Sequence, residues 1–441
     1  MLKISIISIM FFIFSFQSIA QNGFAGESEM RPIRASLDEL LNSWYIGKLS
    51  VDTNTSSLNK YGFKHNDIPL YADRTYKKRL NALQSPIPLG YNPVIKRFIE
   101  LYVKDKRVQV ENMLGLSHYY FPIFEAELAR HNLPLELKYI PVIESAINTH
   151  AVSRSGATGL WQFIYSTAKM YDLEITSNVD ERRDPFVLTE TAVQYLEDLY
   201  SIYKDWLYVI AAYNCGPGSV NKAIKRSGYK SDFWDIYPYL PNETRGYVPA
   251  FIAANYVMNY YIEHNLYPKN IYNPGYIDTI HINKRLRFEV ISKALKISTE
   301  LLHELNPQYL RNLIPMPKNG EYYILRLPIS EASRFTIHRS RIFRYQTLLD
   351  EKEKLKVDNA SKVKSISYGG KRNKNELTLI LYNVKPGDTK YKISSLYDCS
   401  VSDLNKWNNF PGGIIKPGKT VNVYVPKSSY SKYKNVNFTK R

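Results

Sequence analysis

From Asn92-Pro93 onward, apolar side chains recur every three to four residues, a period that predicts helices. The runs cover residues 119–128, 135–143, 189–203 and 248–261, and Asn132-Leu133-Pro134 and Gly216-Pro217-Gly218 break the chain between them. Asn92 suits a helix cap, where a side-chain oxygen accepts a free amide, and Pro93 suits the first turn, where no amide donor is needed. Upstream the chain is polar and irregular, apart from Ser36-Leu37-Asp38-Glu39, which has the form of a capping box. A mainly α-helical domain is expected over residues 92–268, behind an N-terminal extension over 21–91.

After Pro268 the period changes. Residues 277–328 read as strand, two short helices and strand, and residues 379–426 repeat that order with strands at 379–384 and 420–425. Both second helices end near a Leu-Asn pair (Leu305-Asn306 and Leu404-Asn405), so the first unit reads as a diverged copy of the second. A charged amphipathic helix is expected over 331–356 and a linker over 357–376. Residues 361–375 hold five basic side chains, a Gly-Gly pair and no acid. The fold class is therefore mainly α: a helical domain followed by small α+β (βααβ) modules.

Lys3, an apolar run through Phe14 and the small-x-small end Ser18-Ile19-Ala20 describe a secretory signal peptide over residues 1–20. The run is shorter than the roughly 20 residues a membrane span needs, although an uncleaved anchor stays open. Gln21 follows the expected cut, so a lipid-modified N-terminal cysteine is not expected there. The formal net charge of +18 favours a polyanionic partner, and export weighs against nucleic acid. The 37 tyrosines supply core packing area and flat faces suited to sugar rings. Cys215 and Cys399, in segments that read as separate domains, are expected to be unpaired, inert thiols.

The candidate chemistry centres on Glu144-Ser145, at the end of the apolar run from Leu135. Desolvation there would raise a carboxyl's pKa, as a general acid at neutral pH requires, although a lone glutamate in such a place is more often a capping or surface residue. Two further motifs change that balance. Gly156-Ala157-Thr158-Gly159-Leu160-Trp161-Gln162-Phe163 is a glycine-flanked turn that delivers an aromatic and an amide to one place, and Ala211-Ala212-Tyr213-Asn214-Cys215-Gly216 is a helix end presenting Tyr213 and Asn214 before a break. Amides and phenols are suited to orienting sugar hydroxyl and N-acetyl groups. The eight histidines show no metal-ligand spacing, and no cofactor is expected.

In this order and with these gaps, the motifs resemble the soluble lytic transglycosylase family, whose catalytic domain is goose-type-lysozyme-like. Pro141-Val142-Ile143-Glu144-Ser145, Gly159-Leu160-Trp161-Gln162-Phe163 and Glu243-Thr244-Arg245-Gly246-Tyr247-Val248-Pro249 resemble its membrane-bound lytic murein transglycosylase D branch. The resemblance implies that Glu144 is the single catalytic acid. It implies that Ser153 contacts the substrate N-acetyl group, that Gln162, Tyr213 and Asn214 line glycan subsites, and that Glu243 and Tyr247 border or support the cleft. It further implies a reaction in which the glutamate protonates the glycosidic oxygen and then serves as base while the muramic acid C6 hydroxyl closes on C1, leaving a 1,6-anhydro end. Trp161 stands where the broader family has methionine, and Cys215 where it has a small residue. The segment Tyr382-Asn383-Val384-Lys385-Pro386-Gly387-Asp388-Thr389, with Trp407-Asn408 and Ile415-Lys416-Pro417-Gly418, resembles a LysM domain. That resemblance implies glycan binding beside Gly387, Asp388 and Thr389, with Lys390 replacing a common leucine.

The expected partner is the peptidoglycan glycan strand rather than nucleic acid, met by a monomer in the periplasm or cell envelope. Peripheral membrane association and a place at the outer membrane stay open. Two alternatives remain: a lysozyme-type muramidase using the same glutamate, and a non-catalytic wall-binding protein.

Overall fold

A computed structural model of the chain describes residues 29–31, 33–35, 59–270, 275–318, 320–368, 377–386, 388–410 and 415–434, with backbone only for 354–368. The leader over 1–20, the capping box at 36–39 and Gly387 lie outside the described residues. The chain divides into two compact units, Met1–Gln346 and Thr347–Arg441. Among the described residues no helix is long and apolar enough to cross a membrane.

The described residues of the larger unit up to His264 are mainly helical. Asn92 caps the helix Pro93–Glu100, its side-chain oxygen accepting the Ile95 amide at 2.9 Å. Asp184 caps Pro185–Tyr203 and Asp205 caps Trp206–Cys215 in the same way. Around these runs Arg107–Arg130, and at the centre lies Tyr247–Asn259, in which every residue from 247 to 258 is buried. A helix apolar on all sides has no solvent face, and this one is the core about which the others pack.

The core takes in more chain than the helical period suggests. Tyr76, Leu80, Ile87 and Leu89 are buried in the same cluster, so residues of the expected N-terminal extension belong to the helical body. The helix Asp73–Ala82 was hard to read because only Tyr76 and Leu80 turn inward from an otherwise polar stretch. It is held by aromatic rings. Tyr76 stacks on Tyr91 and on His264, and meets Tyr256 edge-on at 5.4 Å. Glu29 also reaches the core and accepts the Tyr237 hydroxyl at 2.6 Å.

The second part of this unit is the expected βααβ module. Strands Ile277–Ile282 and Tyr323–Pro328 pair antiparallel, and helices Phe288–Leu295 and Thr299–Leu305 lie between them in sequence. The smaller unit has the same plan, with strands Leu377–Asn383 and Thr420–Pro426 and helices Lys390–Leu396 and Val401–Trp407. One side-chain device is common to both. The Asn306 carboxamide bonds the Arg326 amide and carbonyl together with Leu302 O, and the Asn408 carboxamide bonds the Asn422 amide and carbonyl together with Leu404 O. The asparagine equivalent to Asn306 is therefore Asn408, not Asn405 as the Leu-Asn pairing suggested. Asn405 instead accepts the Lys390 ammonium. The helix expected over 331–356 runs from Ile329 to Tyr368, so the first part of the expected linker is helical.

His264 supplies a measurable property of this core. Its Nδ1 contacts Pro69 O at 2.8 Å and its Nε2 lies 3.0 Å from the Tyr256 hydroxyl, an arrangement that suits a neutral ring. Burial lowers its pKa from 6.5 to about 4. The unfolded chain therefore takes up this proton first as pH falls, so the contribution is complete above about pH 6.5 and is lost toward about pH 4. Over that window His264 should cost about 3 kcal/mol of unfolding free energy. Urea titrations across the window should show this slope in the parent protein and a flatter one in His264→Gln. Equal slopes would reject a buried neutral imidazole.

Candidate active site

Glu144 sits on a helix of six residues, Ile140–Ser145, whose other members are buried. The helix stops because Ala146 and Ile147 both adopt left-handed backbone, with φ of 50° and 59°. Ser145 fastens this end: its hydroxyl bonds Pro141 O and Leu160 O, and it accepts the Asn148 amide. The acid is thereby tied to the Gly-Leu-Trp-Gln-Phe turn fifteen residues on.

The Glu144 carboxyl lies in a desolvated place. Tyr247 donates its hydroxyl to Glu144 Oε1 at 2.6 Å. Desolvation raises the carboxyl from 4.5 to about 7, the dominant effect, and the Tyr247 hydrogen bond pulls the other way. The phenols of Tyr213 and Tyr247 are themselves raised well above 10, by burial and then by the neighbouring Glu144 charge, so both stay protonated as donors. The Tyr213 hydroxyl donates a hydrogen bond to Trp161 O at 2.7 Å.

The loop carrying Ser153 and Gln162 is a small closed structure. Val152 bridges Thr158, and Thr158 bridges Phe163. The Ser153 hydroxyl accepts the Ala157 amide and lies 2.9 Å from that of Ser155. Gly159 has φ +83°, and a β-carbon there would come within 1.7 Å of Arg182 O, so both the turn and the close approach require glycine. Gln162 also has positive φ, 52°, rare for a residue with a side chain, and its carboxamide N–H bonds Gly159 O and Ala151 O in compensation.

Not every candidate lies where the sequence suggested. Trp161, the aromatic of the turn, is fully buried and donates to the Thr189 hydroxyl at 2.9 Å, so its exchange for the family's methionine repacks the core rather than the cleft. Asn214 is exposed at the end of its helix, where Gly216 with φ 77° breaks the chain before Pro217. Glu243 is exposed on Asn242–Arg245, whereas Tyr247, one turn later, reaches the acid. Cys215 is half-buried and burial raises its thiol, which suits an inert role. In the smaller unit the Asp388 carboxylate accepts the Tyr382 hydroxyl and the Lys385 amide, and Thr389 caps Lys390–Leu396. Both side chains thus shape the turn.

Sequence reasoning gave no role to Arg182. It is buried, and its guanidinium donates to Gly156 O at 2.9 Å and Phe163 O at 3.2 Å while pairing with Asp180. Its only local signal is its place in Glu181-Arg182-Arg183-Asp184-Pro185, a charged run that reads as a solvated surface turn.

Comparison with known proteins identifies the domains. Residues 121–236 match the Transglycosylase SLT domain, 276–342 the LysM-like domain of lytic transglycosylase MltD, and 382–423 the LysM domain. The membrane-bound lytic murein transglycosylase D of Escherichia coli strain K12 is 27% identical over 77% of this chain and 70% of its own length. Among solved structures, the 70 kDa soluble lytic transglycosylase of Escherichia coli aligns at 22% identity and TM-score 0.30 over 42% of this chain and 32% of its own. An inactive variant of the lytic transglycosylase Slt from Pseudomonas aeruginosa aligns at 18% and 0.29 over 52% and 44%. Superpositions this partial carry no weight beside the site itself. On these matches the chain carries an SLT domain followed by an MltD-type LysM-like domain and a LysM domain, and it is a homologue of the membrane-bound lytic murein transglycosylase D of Escherichia coli.

Proposed function

We propose that this protein cleaves the β-1,4 bond between N-acetylmuramic acid and N-acetylglucosamine in peptidoglycan strands, leaving 1,6-anhydro ends. The observation that carries the reading is the Glu144 carboxyl, raised to about 7 and hydrogen-bonded to Tyr247 at the C-terminal end of a short apolar helix. Such a group holds a proton near neutral pH and can release it. Glu144 gives that proton to the glycosidic oxygen as its bond to C1 breaks, and the substrate's N-acetyl group supports the cationic C1. The C6 hydroxyl oxygen of the same sugar then bonds to C1 and returns its proton to Glu144. The nucleophile is tethered to its target, so little entropy is lost in bringing the two together, and no water is consumed. Ser153, Gln162 and Asn214 are proposed to contact the glycan, with Tyr213 and Tyr247 shaping the floor around the acid. Glu243 is proposed to border the cleft.

The apolar leader supports export, and the LysM domain supports retention on the wall, with the turn at Gly387, Asp388 and Thr389 beside the glycan. Its basic charge suits the acidic stem peptides of the wall. The place of action proposed is the periplasmic cell envelope.

Mass spectrometry of products released from purified sacculi should show 1,6-anhydromuramyl ends. Reducing muramic acid ends without the anhydro form would establish a muramidase in its place. Glu144→Gln, nearly isosteric but unable to give a proton, should lower turnover by at least about a thousandfold while sacculus binding persists. Full activity in that variant would remove Glu144 from the chemistry.

The pH profile tests the acid separately. The alkaline limb of kcat/KM should have its midpoint near 7, where the carboxyl of the free enzyme loses its proton. The Tyr247 hydrogen bond lowers this pKa, so Tyr247→Phe should move the limb to higher pH. A limb that stays in place or moves to lower pH would contradict the assignment.

A further inference from the structure

The LysM-like module at 276–342 is packed onto the helical body through contacts that lead to the catalytic loop. In the strand Tyr323–Pro328 the residues Leu325, Arg326 and Leu327 are buried in succession, so the strand is covered on both faces. The outward cover is the helical domain. Arg326 Nη1 donates to Asp184 Oδ2 at 2.6 Å, with both side chains only 4% exposed, and its guanidinium lies 4.4 Å from the Phe186 ring centre. Beside this pair the backbones join: the Asp180 amide donates to Gln308 O and the Leu310 amide to Asn178 O, each at 2.9 Å, so that Val179 and Tyr309 form a bridge. Tyr323 adds a hydroxyl to the Glu174 carboxylate at 3.0 Å.

The segment gripped in this way, residues 178–184, is the one that holds the loop of Ser153 and Gln162. Asp180 fixes the Arg182 guanidinium at both Nε and Nη2, and Arg182 Nη1 reaches Gly156 O and Phe163 O. The Arg182 backbone closes on Gly159. A second route reaches the same loop directly, because the His150 ring, three residues before Ser153, stacks on His303 of the module at 4.8 Å and lies 3.4 Å from Glu304.

We infer that the LysM-like module is a fixed brace of the catalytic cleft, and that Arg326 and Arg182 are positioning residues that hold the loop bearing Ser153 and Gln162. The inference rests on the proposed reaction for its kinetic readout only. The first route runs through hydrogen-bonded groups, from Arg326 and the Gln308 and Leu310 backbone through residues 178–184 to the loop, and the second is ring packing. Arg326 touches no candidate subsite residue, so its loss should act on turnover through the loop.

The test compares the full-length protein with Arg326→Met, which keeps the stem and removes the fork, and with Arg326→Lys, which keeps the charge. Soluble uncrosslinked glycan strands serve as substrate, and amide hydrogen exchange is followed in parallel. Arg326→Met should lower kcat by roughly tenfold to a hundredfold, as small misplacements of catalytic geometry do, with KM within about twofold. Exchange at Thr158 and Gly159, whose amides bond Phe163 O and Ala151 O, should quicken. Arg326→Lys should recover part of both, and it carries the test if the methionine variant fails to fold. A brace that only stabilises the module would confine the exchange change to 276–342 and leave kcat unaltered, and that result overturns the inference. Absence of anhydro products from the parent protein would remove the proposed reaction instead, with exchange at 156–163 left to decide the brace.

Discussion

A carboxyl group that must hold a proton at neutral pH and then release it cannot be fully solvated, nor can it be sealed in. The role proposed for Glu144 makes both demands, and its address answers them. The helix that carries it is buried in a core of apolar side chains, and the residue itself is only partly buried at the helix end. Desolvation disfavours the charged form and Tyr247 partly restores it, so the carboxyl settles at about 7. With a solvated carboxylate the proton would be gone at neutral pH. Without Tyr247 the ionised form would lose this donor, the pKa would rise further and the returned proton would be harder to release.

That balance puts demands on the backbone around it. The left-handed residues Ala146 and Ile147 end the helix immediately after the acid, and Ser145 binds that end to Leu160. Tyr213 holds the next carbonyl, that of Trp161, and Arg182 holds those of Gly156 and Phe163. Four carbonyls of one turn are therefore fixed by side chains from distant parts of the chain. Each unsatisfied buried partner would cost about 1–3 kcal/mol, which is why so irregular a loop can keep a single form. The strained Gln162 is tolerated within this frame.

Much of this was readable from local signals. The Asn92 cap, the two βααβ modules and the glutamate at the end of an apolar helix each leave a pattern a few residues wide. What escaped has no such width. The helix Asp73–Ala82 looked polar because two inward residues in ten suffice when tyrosine rings receive them. Trp161 belonged to the core although its motif pointed to the cleft, since the partner that decides its direction, Thr189, is remote in sequence. Arg182, in a charged run, and Arg326, within the last strand of its module, carry no local sign of their buried partners Asp180 and Asp184.

The two modules show how little sequence separates a tether from a brace. Asn306 and Asn408 lock the last strand in the same way, which makes Arg326 and Asn422 equivalent positions. In Thr420–Pro426 burial alternates and Asn422 stays partly open, the pattern of a strand with one free face. In Tyr323–Pro328 the equivalent face carries an arginine and is closed. Burying a lone guanidinium would be prohibitive, and even a paired one returns little net stability against an apolar substitute. Removing either partner, however, strands the other charge at a cost of about 3–5 kcal/mol. The pair thus penalises any arrangement that parts Arg326 from Asp184, which holds the docked module against the segment beside the proposed acid's loop.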